Sequence, residues 1–139
     1  MDTKMRIYNM ISEKGYRVTN QKKAVIDVLV DNTDRMLSVG DITRLMDAPA
    51  DYATVFRNVR HFMDLGVLES MMDNKGNSRY TLQDSEHHHY LICTECGCIV
   101  KFHCDNPFWK DFAREKSFKE TYHILEVYGI CNKCRNITT

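Results

Sequence analysis

Two Cys-x-x-Cys pairs, Cys93-Thr94-Glu95-Cys96 and Cys131-Asn132-Lys133-Cys134, constrain this 139-residue chain more than anything else in it. Each pair closes a β-rich run, HYLIC and TYHILEVYGIC. Two such knuckles brought together supply four thiolates to one tetrahedral ion, at roughly 2.3 Å for zinc, with no position left open for a substrate. The site is therefore structural, and zinc is its expected occupant. Iron also suits four thiolates, and ligand softness alone does not separate the two metals. All six cysteines fall between Cys93 and Cys134, so the C-terminal part carries the special chemistry. The start MDTKMRIYNM lacks the apolar core of a signal peptide, and no run approaches the roughly 20 apolar residues of a membrane span. The chain is expected in the cytoplasm with no membrane partner, where thiols stay reduced and ligate metal instead of pairing.

A second constellation is His87-His88-His89. Residues two apart on a strand share a face, so His87 and His89 can address one ion while His88 points the other way. His123, eight residues before Cys131 on what reads as the neighbouring strand, can complete that site. His103, Cys104 and Asp105 are further candidates, with His88 itself. Cys98 and Cys104 stand six apart on one predicted strand, about 20 Å between sulfurs if it is straight, so they cannot share an ion. Cys98 reads best as a small hydrophobe packed on that strand, and Cys104 as the better ligand.

The N-terminal half has a different grammar. Residues 3–14 read as a helix stopped by Gly15. Thr19 or Asn20 caps a second helix with Ala24, Val25, Val28 and Leu29 inward. Ser38 caps a third, with Asp41 as the acid of a capping box. Asp51 caps a fourth, where Val55, Val59, Phe62 and Met63 recur at helical spacing until Gly66. Two strands then follow, VLESMM and SRYTLQ, around the turn DNKGN. Helices followed by a hairpin read as a winged helix-turn-helix, whose helix before the wing enters the major groove. The expected fold class is α+β. A winged-helix DNA-binding domain spans residues 1–83, and a linker covers 84–88. A small α/β metal-binding and dimerisation domain spans 89–139, with a helix begun by Asn106 and Pro107. At about 50 residues that second unit needs a metal or a partner subunit to be stable.

Lys plus Arg and Asp plus Glu are both 19, so net charge is zero and any nucleic-acid reading rests on a local patch. One exists between residues 14 and 23, where Lys14, Arg17, Lys22 and Lys23 occur with no acid. An enzyme is not expected: no thioredoxin-like βαβ surrounds the knuckles, and no acid-His-nucleophile set is evident, so no small-molecule substrate is implied. A zinc-ribbon module for RNA or protein is the reading from another class.

The pieces GYRVTNQKKAV, YATVFRNVRHFMDLGVL, HHHYLICTECG and HILEVYGICNKC, in this order and spacing, resemble the ferric uptake regulator family of bacterial metal-sensing repressors over nearly the whole chain. The resemblance implies a homodimer that binds palindromic operators in double-stranded DNA, with structural zinc in the dimerisation domain. The family's Thr-Val-Tyr-Arg stretch is matched by Thr54, Val55, Phe56 and Arg57, with Tyr52 just ahead on the same helix. The aromatic ring persists for thymine-methyl packing while its hydroxyl is gone. Lys22 stands where the family has an arginine, keeping the charge without the fork.

The family's inter-domain sensor maps onto Met36, Thr81, His88, Tyr90 and Lys101, of which only His88 can ligate; an ammonium such as that of Lys101 cannot. Its neighbouring site maps onto His87, His89 and His123, with Phe108 in place of a carboxylate, and Asp105, Cys104, His103 or Asp111 as a fourth ligand. A histidine-rich regulatory site suits zinc, so the resemblance leans to the zinc uptake branch, with iron(II) the alternative.

Overall fold

The computed structural model describes residues 2–84, 86–105 and 108–136. Four helices open the chain: α1 (Thr3–Glu13), α2 (Asn20–Asp31), α3 (Val39–Leu45) and α4 (Tyr52–Asp64). Each starts where a short polar side chain accepts a backbone N–H left over by the first turn. Thr19 accepts from Lys22 at the head of α2, and Asp51 accepts from Thr54 at 2.7 Å at the head of α4. Ser38 and Asp41 cap α3 reciprocally, as the sequence predicts. Gly15 and Gly66 lie in the left-handed region, where a β-carbon would be strained, and so end α1 and α4. The wing is an antiparallel pair, β2 (Leu68–Met72) and β3 (Ser78–Leu82), in register from Leu68 opposite Leu82 to Met72 opposite Ser78.

These elements share one apolar core. Ile11, Val25, Ile26, Ile42, Val55, Val59 and Phe62 are wholly buried, with Leu29, Val67 and Leu68 close behind. Burial of such a side chain contributes about 1.5–3 kcal/mol.

The second half is a sheet in the order β1-β5-β4-β6. Its middle is the antiparallel pair β4 (His88–Cys93) and β5 (Ile99–His103), with β6 (Glu126–Gly129) parallel to β4. The other edge, β1 (Arg35–Met36), comes from the helical half: Arg35 and Met36 pair with Val100 and Ile99, and Leu37 bridges to Tyr80 of the wing. A two-residue strand gives no sequence periodicity, yet it ties α3 to the sheet that carries the cysteine knuckles. Two short helices complete the chain, α5 (Trp109–Glu115) and α6 (Asn132–Arg135).

The long strand expected over 121–131 is regular only from Glu126 to Gly129. The residues before it leave the sheet, which frees His123 to turn toward another site. The second knuckle forms the helical turn α6, which a Cys-x-x-Cys spacing does not announce. The predicted helix start at Asn106 and Pro107 lies outside the described residues.

Candidate metal centres and nucleic-acid interface

The hairpin between β4 and β5 brings the first knuckle back on itself. Cys93 N–H donates to the Cys98 carbonyl at 2.9 Å, and Gly97, at φ +82°, makes the reversal. The β4–β6 pairing then sets the second knuckle beside it, and the Cys96 and Cys131 sulfurs stand 3.8 Å apart. The Cys93 sulfur is buried and accepts N–H bonds from Cys96 and Cys131. Burial alone would push this thiol up, but those donors, with the Glu95 N–H, bring it down to about 6. Cys131 is lowered chiefly by the Cys134 N–H. A sulfur stabilised as thiolate by amide donors and converging on other sulfurs fits a metal-bound knuckle.

One expectation is corrected here. Cys98 is not a hydrophobe packed away on its strand: the ligand atoms of Cys93, Cys96, Cys98 and Cys131 all lie within 4.8 Å of one another. Burial, and then hydrogen bonding and charge from Cys96 and Cys131, push the Cys98 thiol up to about 12. The Cys134 thiol is likewise pushed up to about 12, by its interaction with Cys131 first, then by burial and by its interactions with Cys96 and Cys93. Cys98 lies just ahead of β5, which begins only at Ile99, so it is not packed on that strand; Cys98 and Cys104 fall in separate groups, as their spacing predicts.

At the far end of β4 the structure gathers His87, His89, His123 and Cys104, with ligand atoms again within 4.8 Å of one another. His87 Nε2 and His123 Nε2 are 2.9 Å apart, and Cys104 Sγ is 3.3 Å from His123 Nε2. His89 is 2% exposed, and among the described residues neither of its ring nitrogens has a hydrogen-bond partner. Burial first, then the neighbouring imidazoles, hold its pKa below the usual histidine range, which keeps it neutral, the form that ligates.

Two residues that sequence reasoning missed organise this site. Glu120 Oε1 lies 2.6 Å from His123 Nδ1 and accepts from Trp109 Nε1 at 3.1 Å, while the Trp109 ring packs 4.3 Å from that of His123. A carboxylate on one ring nitrogen fixes the tautomer and leaves the other for metal. A lone glutamate three residues before a histidine in an irregular segment carries no sequence signal of that role. Asp105 is exposed and belongs to none of the metal-ligating groups found among the described residues; Asp111 pairs with Arg114.

A third group is Glu86, His88 and His103, in which Glu86 and His103 are exposed while the His88 side chain is only 7% exposed. His88 and His103 pair across β4 and β5, His103 Nδ1 lies 3.4 Å from Glu86, and His88 Nε2 lies 3.7 Å from Asp84. The remaining positions of the expected inter-domain pocket do other work. Met36 is buried with Ile92 and Ile99, and Met71 and Tyr90 pack against them. Tyr90 pairs with Lys101 across the strands, and Thr81 is buried with its hydroxyl unpartnered. An apolar bolt between the halves stands where cation ligands would be.

The helical half presents α4 outward. Tyr52 and Phe56 are exposed and stacked, Arg60 lies over the Phe56 ring, and Arg57 donates to Thr54 Oγ1 at 3.3 Å. Lys22 donates to the Arg17 carbonyl and sits over Tyr16, whose ring meets His61 of α4 edge-on at 4.4 Å. Arg17 and Lys22 are thereby joined to α4, while Lys14 is exposed at the end of α1. This arrangement offers base-edge groups on one helix and phosphate-seeking cations beside it.

The two regions are linked. Arg79 of the wing donates to Asp73 at 3.0 Å, to Asp41 of α3 at 3.2 Å and to the Cys96 carbonyl at 3.3 Å. Gly97 lies so close that a β-carbon would meet Asp73 Oδ2 at 2.6 Å. The knuckle thus docks on the turn of the wing.

Residues 13–128 match the ferric uptake regulator family. The peroxide operon regulator of Bacillus subtilis (strain 168) is 32% identical over 129 residues, covering 89% of this chain and 88% of that protein. The ferric uptake regulation protein of the same organism is 30% identical over 142 residues, covering 96% and 95%. Among solved structures, a zinc-bound manganese uptake regulator superposes with a TM-score of 0.76 at 30% identity, covering 94% of this chain and 99% of that one. With the winged helix, the dimerisation-type sheet and the clustered metal ligands in place, the chain belongs to the ferric uptake regulator family, whose members are metal-responsive, DNA-binding transcriptional regulators that act as dimers and are not enzymes.

Proposed function

We propose that this protein is a zinc-responsive repressor of the cytoplasm that binds palindromic operator DNA as a homodimer. In this reading Cys93, Cys96, Cys131 and Cys134 hold structural zinc, and His87, His89, His123 and Cys104 hold the regulatory ion. The observation that carries it is His89, a buried imidazole with both nitrogens unpartnered, facing two further imidazoles and a thiol. An unpartnered buried polar group costs about 1–3 kcal/mol, which a bound ion would recover. Three imidazoles and one sulfur complete a tetrahedral set suited to zinc more than to a cation that prefers oxygen, and Glu120 supplies the outer carboxylate.

The protein's own residues give the coupling. The regulatory ligands lie at the start of β4 (His87 just before it, His89 within it), just after β5 and ahead of β6, and β5 carries β1, which leads into α3. Metal binding that favours one arrangement of this sheet biases the placement of α4; a tenfold preference corresponds to about 1.4 kcal/mol. The second copy supports the same arrangement. Phe112, Phe118, Tyr122 and Ile124 are each more than 60% exposed, and β6 is an open sheet edge beside Ile130. Such a surface fits a self-complementary interface.

The test is operator binding by a His89→Ala, His123→Ala double variant that retains its structural zinc. Binding should become independent of added zinc. Wild-type zinc dependence in that variant would place the sensor elsewhere, with the Glu86, His88 and His103 group next. Wild-type protein that responds to iron(II) and not to zinc would support the iron alternative, and preference for single-stranded RNA over duplex DNA the zinc-ribbon alternative.

A further inference from the structure

We propose that Cys98 is a working zinc ligand of this chain, interchangeable with Cys134, so that five thiols serve one four-coordinate ion. The proposal rests on the reading that the paired knuckles hold zinc, and adds a ligand that their spacing does not include.

Sulfurs bound to one zinc at roughly 2.3 Å stand about 3.8 Å apart. Cys96 and Cys131 already have that separation. The described sulfurs mutually within 4.8 Å are those of Cys93, Cys96, Cys131 and Cys98, while Cys134, outside that group, interacts with the thiols of Cys131, Cys96 and Cys93. Cys93, Cys96 and Cys131 are therefore common to both sets of four, and the fourth place has two claimants. Cys98 owes its position to backbone geometry. The left-handed Gly97 and the Cys93 N–H to Cys98 carbonyl bond fold the chain back, so that a residue outside the knuckle returns beside its first cysteine.

The two claimants are attached to different parts of the molecule. Cys98 is followed directly by Ile99, which pairs with Met36 of β1 ahead of α3, whereas Cys134 lies in the terminal turn α6. Cys98 also lines, with Arg79, Asp41, Arg44, Cys96 and Cys131, a cleft of about 880 Å³ between α3 and the knuckles. Exchange makes one Zn–S bond as another breaks. The entering thiol gives its proton to water and the departing thiolate takes one up, so no oxidant or reductant is needed. Zinc is then anchored either to the strand that carries the DNA-binding half or to the C-terminal turn.

The experiment compares full-length Cys98→Ser, Cys134→Ser and the double variant by zinc content after mild chelation, and by the thiolate-to-cobalt charge-transfer absorption of the cobalt(II) form. Each single variant should keep one chelator-resistant zinc per chain and the absorption of four thiolates. The double variant should fall to three-quarters of that intensity and release zinc at least tenfold faster. A Cys134→Ser protein that matches the double variant would overturn the proposal. Zinc retained at the site by a Cys93→Ser, Cys96→Ser protein would instead refute the underlying thiolate site. Should Cys134→Ser fail to fold, alkylation of the zinc-loaded wild-type protein decides: label divided between Cys98 and Cys134 supports exchange, and label on Cys98 alone overturns it.

Discussion

Between Ile7 and Leu82, fifteen apolar side chains are buried in one cluster, whereas among the described residues beyond 84 the buried side chains are His89, Ile92, Cys93 and Ile99. Half of that second set is metal-ligating in type. The first region is an ordinary hydrophobic fold that could hold its shape by packing. The second resembles the inside-out solution of small domains, in which a few strands are fixed by thiolates and imidazoles because too little apolar surface is available. Its large aromatic residues, Phe108, Phe112, Phe118 and Tyr122, face outward. In the proposed reading, a region that leaves its hydrophobes on the surface relies on metal and on a second subunit, so its conformation would respond to either.

The sharpest way to break this contrast is to delete the metal from one region and packing from the other. Cys93→Ser with Cys96→Ser removes binding energy that for structural zinc runs to about 10 kcal/mol or more. The sheet and the dimer should be lost while helical circular dichroism from α1 to α4 survives with its own thermal transition. Phe62→Ala empties the centre of the first core, where Phe62 is wholly buried, and should cost about 3–5 kcal/mol with zinc content unchanged. Sedimentation, zinc analysis and circular dichroism on the two proteins check both outcomes. A single melt lost in both would show that the halves do not differ as described.

A smaller effect is expected where the regions meet. Asp73 is buried, and burial would raise its pKa; the Asn77 N–H, the Arg79 guanidinium and the Lys75 N–H outweigh that and hold it below the usual carboxylate range. A carboxyl depressed on folding contributes stability that is present above its unfolded pKa of about 3.9 and is lost as pH falls through the folded value. Asp73→Asn should therefore cost about 3 kcal/mol at neutral pH, by leaving Arg79 with Asp41 and the Cys96 carbonyl only. The gap to wild type should narrow below pH 4. Urea melts at both pH values test it, and a gap that does not change with pH would deny the carboxylate its role.

The helical half was legible because its signals are local. Thr19, Ser38 and Asp51 cap within three residues, and the stripe Val55, Val59 and Phe62 lies on one helix. In the second half the Cys93/Cys96 and Cys131/Cys134 spacings and the alternation of His87 and His89 were readable, since each is a short-range pattern of two to three residues. The hidden part depended on partners far apart in sequence or on irregular backbone. Glu120 meets Trp109 across eleven positions, Cys98 returns through the left-handed turn at Gly97, and β1 joins a sheet whose other strands lie more than fifty residues on. The residues 121–125 failed as a strand for the same reason: their alternation of apolar side chains, Tyr122 and Ile124 among them, serves an exposed face instead of sheet pairing.

The finest distinction concerns the DNA surface, which the packed half should present whether or not the metal-bearing half is ordered. Lys22 is held in place by the Arg17 carbonyl and the Tyr16 ring, contacts made entirely within the helical half. A contact from its charge to phosphate would carry no sequence information. Lys22→Ala should weaken binding uniformly across sequences and reduce the slope of log affinity against log salt by about 0.9 for one lost phosphate contact. That reduction should be the same with and without metal. Arg57 differs, because its guanidinium, held by a hydrogen bond to Thr54 and the charge of Asp51 at the head of the same helix, is available to a base edge. Arg57→Ala should cost about 1–3 kcal/mol on an operator and little on unrelated duplex DNA. Because reading two half-sites requires both copies at a set separation, that penalty should appear only in metal-loaded protein. Fluorescence anisotropy titrations over a salt series, on operator and unrelated duplexes, with and without a chelator, separate the two. An Arg57 penalty that survives chelation would mean that the helical half reads sequence on its own, and that the metal-bearing half contributes affinity without setting the spacing.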